Sequence, residues 1–378
     1  MNARSLLSSR VTAAARSAFV RPRLIHHLCL SSLLLCLTIS AGAQSANVSI
    51  FATGLNNPRG LKFGPDGNLY VAEGGAAGNL STVGDPSVEQ VLPPVGPYTG
   101  GFTARISKIN SNGVRTTVAD HLPSSATSPN QGSLISGVGD VAFVGNTLYA
   151  ILSGAGASHG LAGTDNAVLK VNSDGSTTLV ANLSEFQKAN PVANPEEDDF
   201  EPDGTWYGMV AVRGALYAVE PNHGELVKIT TDGAIVRIAD ISATQGHTVP
   251  TAIAYDGNFY VGNLDVFPII DGSSKILKIT PSGEVKTYAD GLTTVLGLAF
   301  DQQHRLYVLE NTTGNPFPKE GTGKILRINH SGKVDEIASG LFLPTAMTFG
   351  PDGNLYVSNV GFGPPPIGLG QIVKVTLP

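Results

Sequence analysis

The sequence FGPDGNLYVA stands at residues 63–72, and FGPDGNLYVS stands at residues 349–358 of the same 378-residue chain. Each copy places a Pro-Asp-Gly turn shortly before the triplet Leu-Tyr-Val. The glycine of such a turn supplies the positive φ that a tight reversal of the chain requires. Aromatic and β-branched residues on either side of a turn are typical of two antiparallel strands. The stretch therefore predicts a β-hairpin near both ends of the chain.

This hairpin belongs to a repeat that runs through the chain. The Leu-Tyr element occurs six times, beginning at Leu69, Leu148, Leu216, Phe259, Leu306 and Leu355. A second element, which alternates apolar and mostly basic residues, follows each copy and begins at Ile106, Val168, Leu226, Ile276, Ile325 and Ile372. A tight turn and one more strand follow the first five copies. Six units of four strands predict an all-β fold, a six-bladed β-propeller with four antiparallel strands per blade.

The sixth unit reaches Pro378 without its outer strand. Residues Val48–Leu55 match the outer strands of the fourth and fifth units, which end in the same Gly-Leu pair. We therefore predict that this N-terminal strand completes the last blade and closes the ring. Closure removes an open sheet edge that would otherwise favour aggregation. Residues 44–378 are then expected to form a single six-bladed propeller domain.

Residues 1–43 have the pattern of a signal peptide. They contain five arginines and no acidic residue, then an apolar run that begins at Leu28, and they end in Ala41-Gly42-Ala43. A basic region, a short apolar region and an A-x-A site indicate secretory export with cleavage before Gln44. We therefore predict a secreted protein, periplasmic or extracellular. The apolar run is too short for a membrane span, so none is expected after cleavage.

Cleavage would also change the composition of the protein. Cys29 and Cys36, the two cysteines, both lie in the predicted signal peptide, so the mature chain has no disulfide, thiolate nucleophile or cysteine metal site. Loss of five arginines makes the net charge more negative than the −6 of the whole chain. An acidic chain without a basic patch is a poor partner for nucleic acid. We expect a monomer.

The repeat also predicts that the two faces of the propeller differ. Turns between the first and second strands and between the third and fourth strands of each blade are tight. The long insertions fall at the opposite ends of the strands, at residues 74–104, 120–136, 153–167, 184–203, 264–274, 311–323 and 360–370. We call this side the long-loop face. Loops that a rigid scaffold presents commonly carry function, so a protein, glycan or small-molecule ligand is expected there.

The residue that ends each Leu-Tyr strand is polar in five of the six units. These residues are Glu73, Leu152, Glu220, Asn263, Glu310 and Asn359. They are predicted to surround the axis at the long-loop face. Two interpretations stay open for the polar five: they bind a cation or a polyol, or they cap their loops by accepting backbone N–H bonds.

Arg59 and Asp140 are the charged residues predicted at the starts of the strands nearest the axis. They are expected to meet across the channel mouth, either as a structural ion pair or as ligand contacts. His247 precedes an axial strand and is the one mature-chain histidine expected at the mouth. The histidines lack metal-ligand spacing, and no nucleophile motif is present.

The densest charge cluster is EEDDFEPD at residues 196–203. Ca²⁺ favours several oxygen ligands, so this run is a candidate calcium site, although it lacks the spacing of an EF-hand loop. The alternative is a solvated loop. Trp206, the only tryptophan, and Tyr207 follow the run. Aromatic residues at a loop rim stack on sugars or ring ligands; alternatively, Trp206 fills the central channel.

The opening blade, GLNNPRGLKFGPDGNLYVAE at residues 54–73, closely resembles that of the ScyD/ScyE family of exported bacterial proteins. The resemblance covers the mature chain and includes the late elements KILRI and FGPDGNLYV, which NHL-type propellers share. It implies an exported propeller more clearly than it implies an activity.

Three enzyme families with related blades were compared with the sequence. Gluconolactonase-like propellers hold a divalent metal with acidic and Asn side chains at the axial strands, where this chain offers Asp140. Soluble quinoprotein sugar dehydrogenases require a catalytic His that has no clear counterpart here. Strictosidine-synthase-like propellers need a catalytic Glu, for which Glu220 or Glu310 is a candidate. A shared propeller fold does not imply shared chemistry.

Two hypotheses remain. The first is a non-catalytic secreted binding or assembly protein of the ScyD/ScyE type, with its ligand at the long-loop face. The second is a metal- or quinone-assisted enzyme at the channel mouth, lactonase-like or sugar-dehydrogenase-like. The lack of a convergent acid, base and metal set in the sequence favours the first.

Overall fold

Six antiparallel sheets form the six blades of a β-propeller, as the repeat predicts. The structure, a computed structural model, describes residues 44–197, 199–329, 331–362 and 368–377. The predicted signal peptide and part of the predicted insertion at 360–370 lie outside the described residues. In the described part of the chain, no helix has the length and apolar character needed to cross a membrane.

The first three blades follow one another along the chain. Blade 1 contains strands Pro58–Phe63, Leu69–Glu73, Thr99–Ile109, Arg115–Ala126 and Ile135–Ser136. Blade 2 contains strands Val138–Val144, Thr147–Leu152, Ala167–Val171 and Thr177–Asn182. Blade 3 contains strands Met209–Val212, Ala215–Glu220, Glu225–Ile229 and Ile235–Asp240.

The other three blades complete the ring. Blade 4 contains strands Pro250–Asp256, Asn258–Asn263, Ser274–Ile279 and Val285–Leu292. Blade 5 contains strands Val295–Phe300, Leu306–Glu310, Gly323–Ile328 and Val334–Leu341. Blade 6 contains strands Ala346–Phe349, Leu355–Asn359, Gly370–Val375 and Val48–Leu55.

The N-terminal strand closes the ring, which confirms the prediction. Val48–Leu55 pairs antiparallel with Gly370–Val375, with Val48 opposite Val375. Leu55 is fully buried at the end of this strand, whereas Ile50 is 61% exposed. One face of the strand therefore anchors the last blade in the core, and the other faces solvent.

Short helices occur only in the connections of the described chain. They are the α-helices Leu183–Ala189 and Ser242–Gln245 and the 3₁₀ helices Pro129–Gln131 and Ala157–His159. The first α-helix begins after Asn182, whose side chain accepts a hydrogen bond from the Glu185 N–H and so caps the helix.

Blade 1 differs from the prediction, because its two outer strands extend into the expected insertions 74–104 and 120–136. The added length packs against blade 2. A Cβ on Gly100 would lie only 2.4 Å from Cγ of Leu161, so glycine permits the close approach of the two blades. The repeat alone does not reveal this contact, which is particular to one pair of blades.

Candidate functional site

A cavity of about 610 Å³ opens on the long-loop face. Residues from six of the seven predicted insertions line it; the insertion at 311–323 contributes none. Cavities of a few hundred Å³ suit small organic molecules. The unequal faces that the repeat predicts therefore produce one shared cavity at the mouth of the ring.

Tyr207 forms the floor of this cavity. Its hydroxyl donates to the Thr345 carbonyl oxygen of blade 6 (3.2 Å) and accepts from Nη1 of Arg59 of blade 1 (3.4 Å). Tyr207 itself precedes the first strand of blade 3, so its side chain spans the axis. It also lines a second, smaller cavity of about 40 Å³ among the inner strands. Tyr207, rather than Trp206, therefore obstructs the central channel.

Trp206 is a core residue. It is fully buried among the residues that pack blades 2 and 3 together, and its indole Nε1 donates to Gln187 Oε1 (3.2 Å). It does not line the cavity. The expectation that Trp206 stacks on a ligand or fills the channel is wrong, because the indole has no surface left for a ligand.

Arg59 lies beside Tyr207 and is only 6% exposed. Its guanidinium carbon is 5.6 Å from the ring centre of Tyr207 and 6.0 Å from that of Phe362, distances typical of cation–π contacts. Its Nη2 donates to the Ile135 carbonyl oxygen. Among the described residues no carboxylate forms an ion pair with Arg59. The expected Arg59–Asp140 pair is therefore not formed.

Asp140 is held by backbone groups instead. Its Oδ1 accepts from the Val141 N–H and its Oδ2 from the Met209 N–H, both at 2.8 Å. It lines the smaller axial cavity and not the large one. Burial raises the pKa of Asp140 to about 6, opposed by the charge of Lys62 and by the two backbone bonds.

The acidic run and His247 meet in the cavity wall. Nε2 of His247 is 2.6 Å from Oε2 of Glu196. One ligand atom each from Glu196, Asp199 and His247 all lie within 4.8 Å of one another. Asn222 holds the run in place, since its Nδ2 donates to the Asp199 carbonyl oxygen (3.0 Å) and its Oδ1 accepts from the Glu201 N–H (2.8 Å).

Glu201 is a buried carboxyl group in the same wall, 5% exposed. Its Oε1 accepts a hydrogen bond from the Tyr98 hydroxyl at 2.5 Å, and its Oε2 has no hydrogen-bond partner among the described residues. Burial raises the pKa of Glu201 to about 8, with the Asp199 carboxylate adding to the effect. Glu201 is therefore largely protonated at neutral pH and can donate or take up a proton there.

The residues that end the Leu-Tyr strands are all buried and have backbone partners where they are polar. Each accepts a backbone N–H bond: Glu73 from Asn56 (2.6 Å), Glu220 from Thr205 (2.7 Å), Asn263 from Lys275 (2.6 Å), Glu310 from Thr293 (2.8 Å) and Asn359 from Phe342 (2.9 Å). None lines the large cavity, and Leu152 is buried in the core. These contacts match the capping interpretation.

The capped segments differ from the expected ones. In four blades the bonded N–H belongs to the connection that enters the blade. Glu220 also binds the loop that follows its own strand, because its second oxygen accepts from the His223 N–H. The Thr205 bond fixes the end of the connection that carries Glu196, Asp199 and Glu201, so Glu220 positions the cavity wall without reaching into it.

Arg59 and His247, which the sequence predicts at the mouth, line the cavity, whereas Asp140 does not. Tyr207, predicted at a loop rim, also lines it. Tyr98 and Phe362 line it too, but they lie in insertions that have no repeat to align them. The sequence indicates the acidic run but not its contact with His247. The two segments are separated by blade 3, so only the ring brings them together.

No protein-family model and no curated protein sequence matches the chain. Solved structures do match. A protein of unknown function from Bacteroides thetaiotaomicron has 13% identity and a TM-score of 0.56, covering 88% of this chain and 76% of that one. A gluconolactonase from Xanthomonas campestris has 11% identity and a TM-score of 0.53, covering 90% and 93%. The PQQ-bound aldose sugar dehydrogenase from Streptomyces coelicolor has 15% identity and a TM-score of 0.53, covering 86% and 97%.

At these identities the similarity establishes the fold and nothing finer. The chain is a six-bladed β-propeller whose structural neighbours include a gluconolactonase and an aldose sugar dehydrogenase.

Proposed function

We propose that the protein is a secreted propeller that binds a small organic anion with an aromatic body in the cavity of the long-loop face. The observation that carries this proposal is Arg59, a buried cation on the cavity floor with no carboxylate partner among the described residues. A guanidinium has five N–H donors, and Arg59 uses two of them within the described structure. Three remain for a ligand, in a planar fork that matches a carboxylate.

The lining supports an aromatic body for the ligand. Tyr98, Tyr207, Phe267 and Phe362 contribute rings to the cavity, together with aliphatic side chains. Aromatic faces bind flat apolar groups at low entropic cost.

The acidic wall opposes an anion less than its composition suggests. The raised pKa of Glu201, about 8, leaves that carboxyl largely neutral near pH 7. Arg59 therefore faces a wall in which one of the carboxyl groups adds little negative charge.

Export and family membership are part of the proposal. The basic and apolar pattern of residues 1–43 supports cleavage and secretion. The opening blade at residues 54–73 supports membership of the ScyD/ScyE family. Signal cleavage is tested by N-terminal sequencing of the exported protein, which is expected to begin at Gln44.

The ligand proposal is tested by calorimetric titration of the purified protein with benzoate at pH 7, with benzyl alcohol as an uncharged aromatic probe of similar size. Benzoate is expected to bind at least tenfold more tightly than benzyl alcohol. Arg59→Met is expected to remove this preference, and Arg59→Lys to retain part of it. Arg305→Met, which removes a surface guanidinium paired with Asp301, is the control and is expected to bind like wild type. Equal binding of both probes, or benzoate binding that Arg59→Met leaves unchanged, would overturn the proposal.

One observation favours a second function, that of a lactonase-like or sugar-dehydrogenase-like enzyme acting at the channel mouth. Glu201 combines a pKa of about 8 with a place in the cavity wall, as a general acid or base requires. The test is hydrolysis of D-glucono-1,5-lactone above the spontaneous rate. On this alternative, Glu201→Gln lowers kcat/KM about 100-fold or more, because an amide cannot transfer the proton. A wild-type rate at background, or an unchanged rate in the variant, counts against it.

A further inference from the structure

We infer that Glu196, Asp199 and His247 bind a divalent transition-metal ion in the cavity wall, with Zn²⁺ the best fit. The three side chains come from two connections on either side of blade 3, and one donor atom of each lies within 4.8 Å of the other two. Donor atoms around a tetrahedral zinc ion lie roughly 3.4 Å apart, given zinc–ligand distances near 2.1 Å. The 2.6 Å contact between His247 Nε2 and Glu196 Oε2 needs to open by less than 1 Å to admit the ion.

The donor set selects the metal. Ca²⁺ and Mg²⁺ bind almost exclusively through oxygen, whereas Zn²⁺ and its neighbours in the first transition row readily take imidazole nitrogen together with carboxylates. Calcium is the cation that the acidic run alone suggests. His247, which the fold adds to that run, changes the expected ion from calcium to zinc.

A second observation in the same wall points to a ligand. Glu201 is 95% buried, and its Oε2 has no hydrogen-bond partner among the described residues; Nε2 of His159 is 3.7 Å away. A buried polar atom without a partner destabilises the fold. A water molecule or a ligand oxygen bound to the metal would give this atom a partner.

The geometry also fits an open site. Three protein donors leave the fourth tetrahedral position free, as in zinc sites that hold a water or a substrate rather than purely structural ones. All three donor residues line the cavity of about 610 Å³, so the free position is accessible from it. Asn222 fixes Asp199 from behind, with Nδ2 3.3 Å from Oδ1 of Asp199.

This inference goes beyond the proposed anion binding and does not rest on Arg59. The experiment strips the purified protein with EDTA, removes the chelator and titrates it with ZnCl₂ and separately with CaCl₂. Wild-type protein is expected to bind one Zn²⁺ and to bind Ca²⁺ at least 100-fold more weakly. Substitution by Co²⁺ is expected to give the visible absorption bands of a tetrahedral site, with a ligand-field signature of mixed nitrogen and oxygen donors.

His247→Ala and Asp199→Asn are each expected to weaken zinc binding at least tenfold without changing the thermal midpoint of the zinc-free protein. His304→Ala is the matched control, because His304 also contacts one carboxylate, Asp256 at 2.9 Å, but has no third donor among the residues that the structure describes. It is expected to bind zinc like wild type, as is Arg59→Met, so zinc and benzoate binding can fail separately.

Absence of stoichiometric zinc binding in folded wild-type protein would overturn the inference. So would zinc binding that His247→Ala and Asp199→Asn both leave intact, or calcium binding as tight as zinc binding.

Discussion

The role of a charged side chain near the axis of this propeller depends on which groups contact it. Asp140 and Arg59 carry opposite charges and lie near the axis, yet each has separate partners. Asp140 is satisfied by two backbone N–H groups, whereas the Arg59 guanidinium lies under the cavity between two aromatic rings. The sequence predicts that both residues lie near the axis. It does not predict how far along the axis each one lies, because that depends on how the inner strands are shifted relative to one another.

Asp140 is expected to make stability depend on pH. Its pKa is raised from 3.8 to about 6 in the folded protein, so the folded state holds this proton more tightly than the unfolded state. The associated stability is fully present below about pH 4 and is lost as the pH rises through 6. Between pH 4 and pH 7, Asp140 is expected to lower the unfolding free energy by about 1–3 kcal/mol.

The measurement is urea unfolding of wild type and Asp140→Asn at pH 4.5 and pH 7.5. The variant is expected to lose less stability than wild type over this interval. Asp352→Asn is the control, because the pKa of Asp352 is lowered to about 2, and that carboxylate stays ionised throughout the interval. An identical pH dependence in wild type and Asp140→Asn would show that Asp140 does not titrate there.

At the scale of elements, the polar residue that ends the second strand of a blade ties that strand to the incoming connection. Glu220 and Glu310 do this in blades 3 and 5, through the backbone N–H groups of Thr205 and Thr293. The connection held by Glu220 carries Glu196, Asp199 and Glu201 of the cavity wall, and the one held by Glu310 carries no lining residue.

Glu220→Ala and Glu310→Ala therefore form a matched pair. Each is expected to lower the unfolding free energy by about 2–4 kcal/mol, because a buried backbone donor loses its acceptor. Only Glu220→Ala is expected to weaken zinc and benzoate binding as well, by tenfold or more. Titration of both variants, at a temperature where both remain folded, makes the comparison. Equal ligand binding by the two variants would separate Glu220 from the cavity.

The strands could be predicted because their signals are local: a tight turn, a Leu-Tyr or Phe-Tyr pair and alternation of apolar residues recur in every unit. The long outer strands of blade 1 could not, since the added length includes Gly100, which packs against Leu161 of the next blade, a contact that no repeat signals. The burial of Trp206 was missed for the same reason. The neighbours of Trp206 belong to two blades. A sequence repeat does not predict whether a residue just before a strand packs against the adjacent blade or points into the channel.

For the whole molecule, closure of the ring by Val48–Leu55 is expected to contribute to stability. Leu55→Ala removes a fully buried side chain from the closing strand and is expected to cost about 2–5 kcal/mol. Ile50→Ala, in the same strand but 61% exposed, is expected to cost about 0.5 kcal/mol or less. Thermal and urea unfolding of both variants check this. A Leu55→Ala protein as stable as Ile50→Ala would mean that the closing strand adds little to the fold.

The ring also explains why the site was harder to predict than the fold. The cavity takes residues from blades 1 to 4 and from the loop between the second and third strands of blade 6, so its members are separated by up to 303 positions, from Arg59 to Phe362. Each insertion has its own length and sequence, and nothing in one predicts its neighbour. The sequence could therefore indicate the face of the molecule and some of the residues, but not the pairing of His247 with the acidic run.

We propose this cavity, with Arg59 on its floor, as the place where the protein binds its ligand. An anomalous difference map from crystals soaked in 4-bromobenzoate tests this directly, since bromine marks the ligand independently of the protein density. One bromine peak is expected inside the cavity, with the carboxylate on the Arg59 guanidinium. A saturated peak elsewhere on the surface, with the cavity empty, would contradict it.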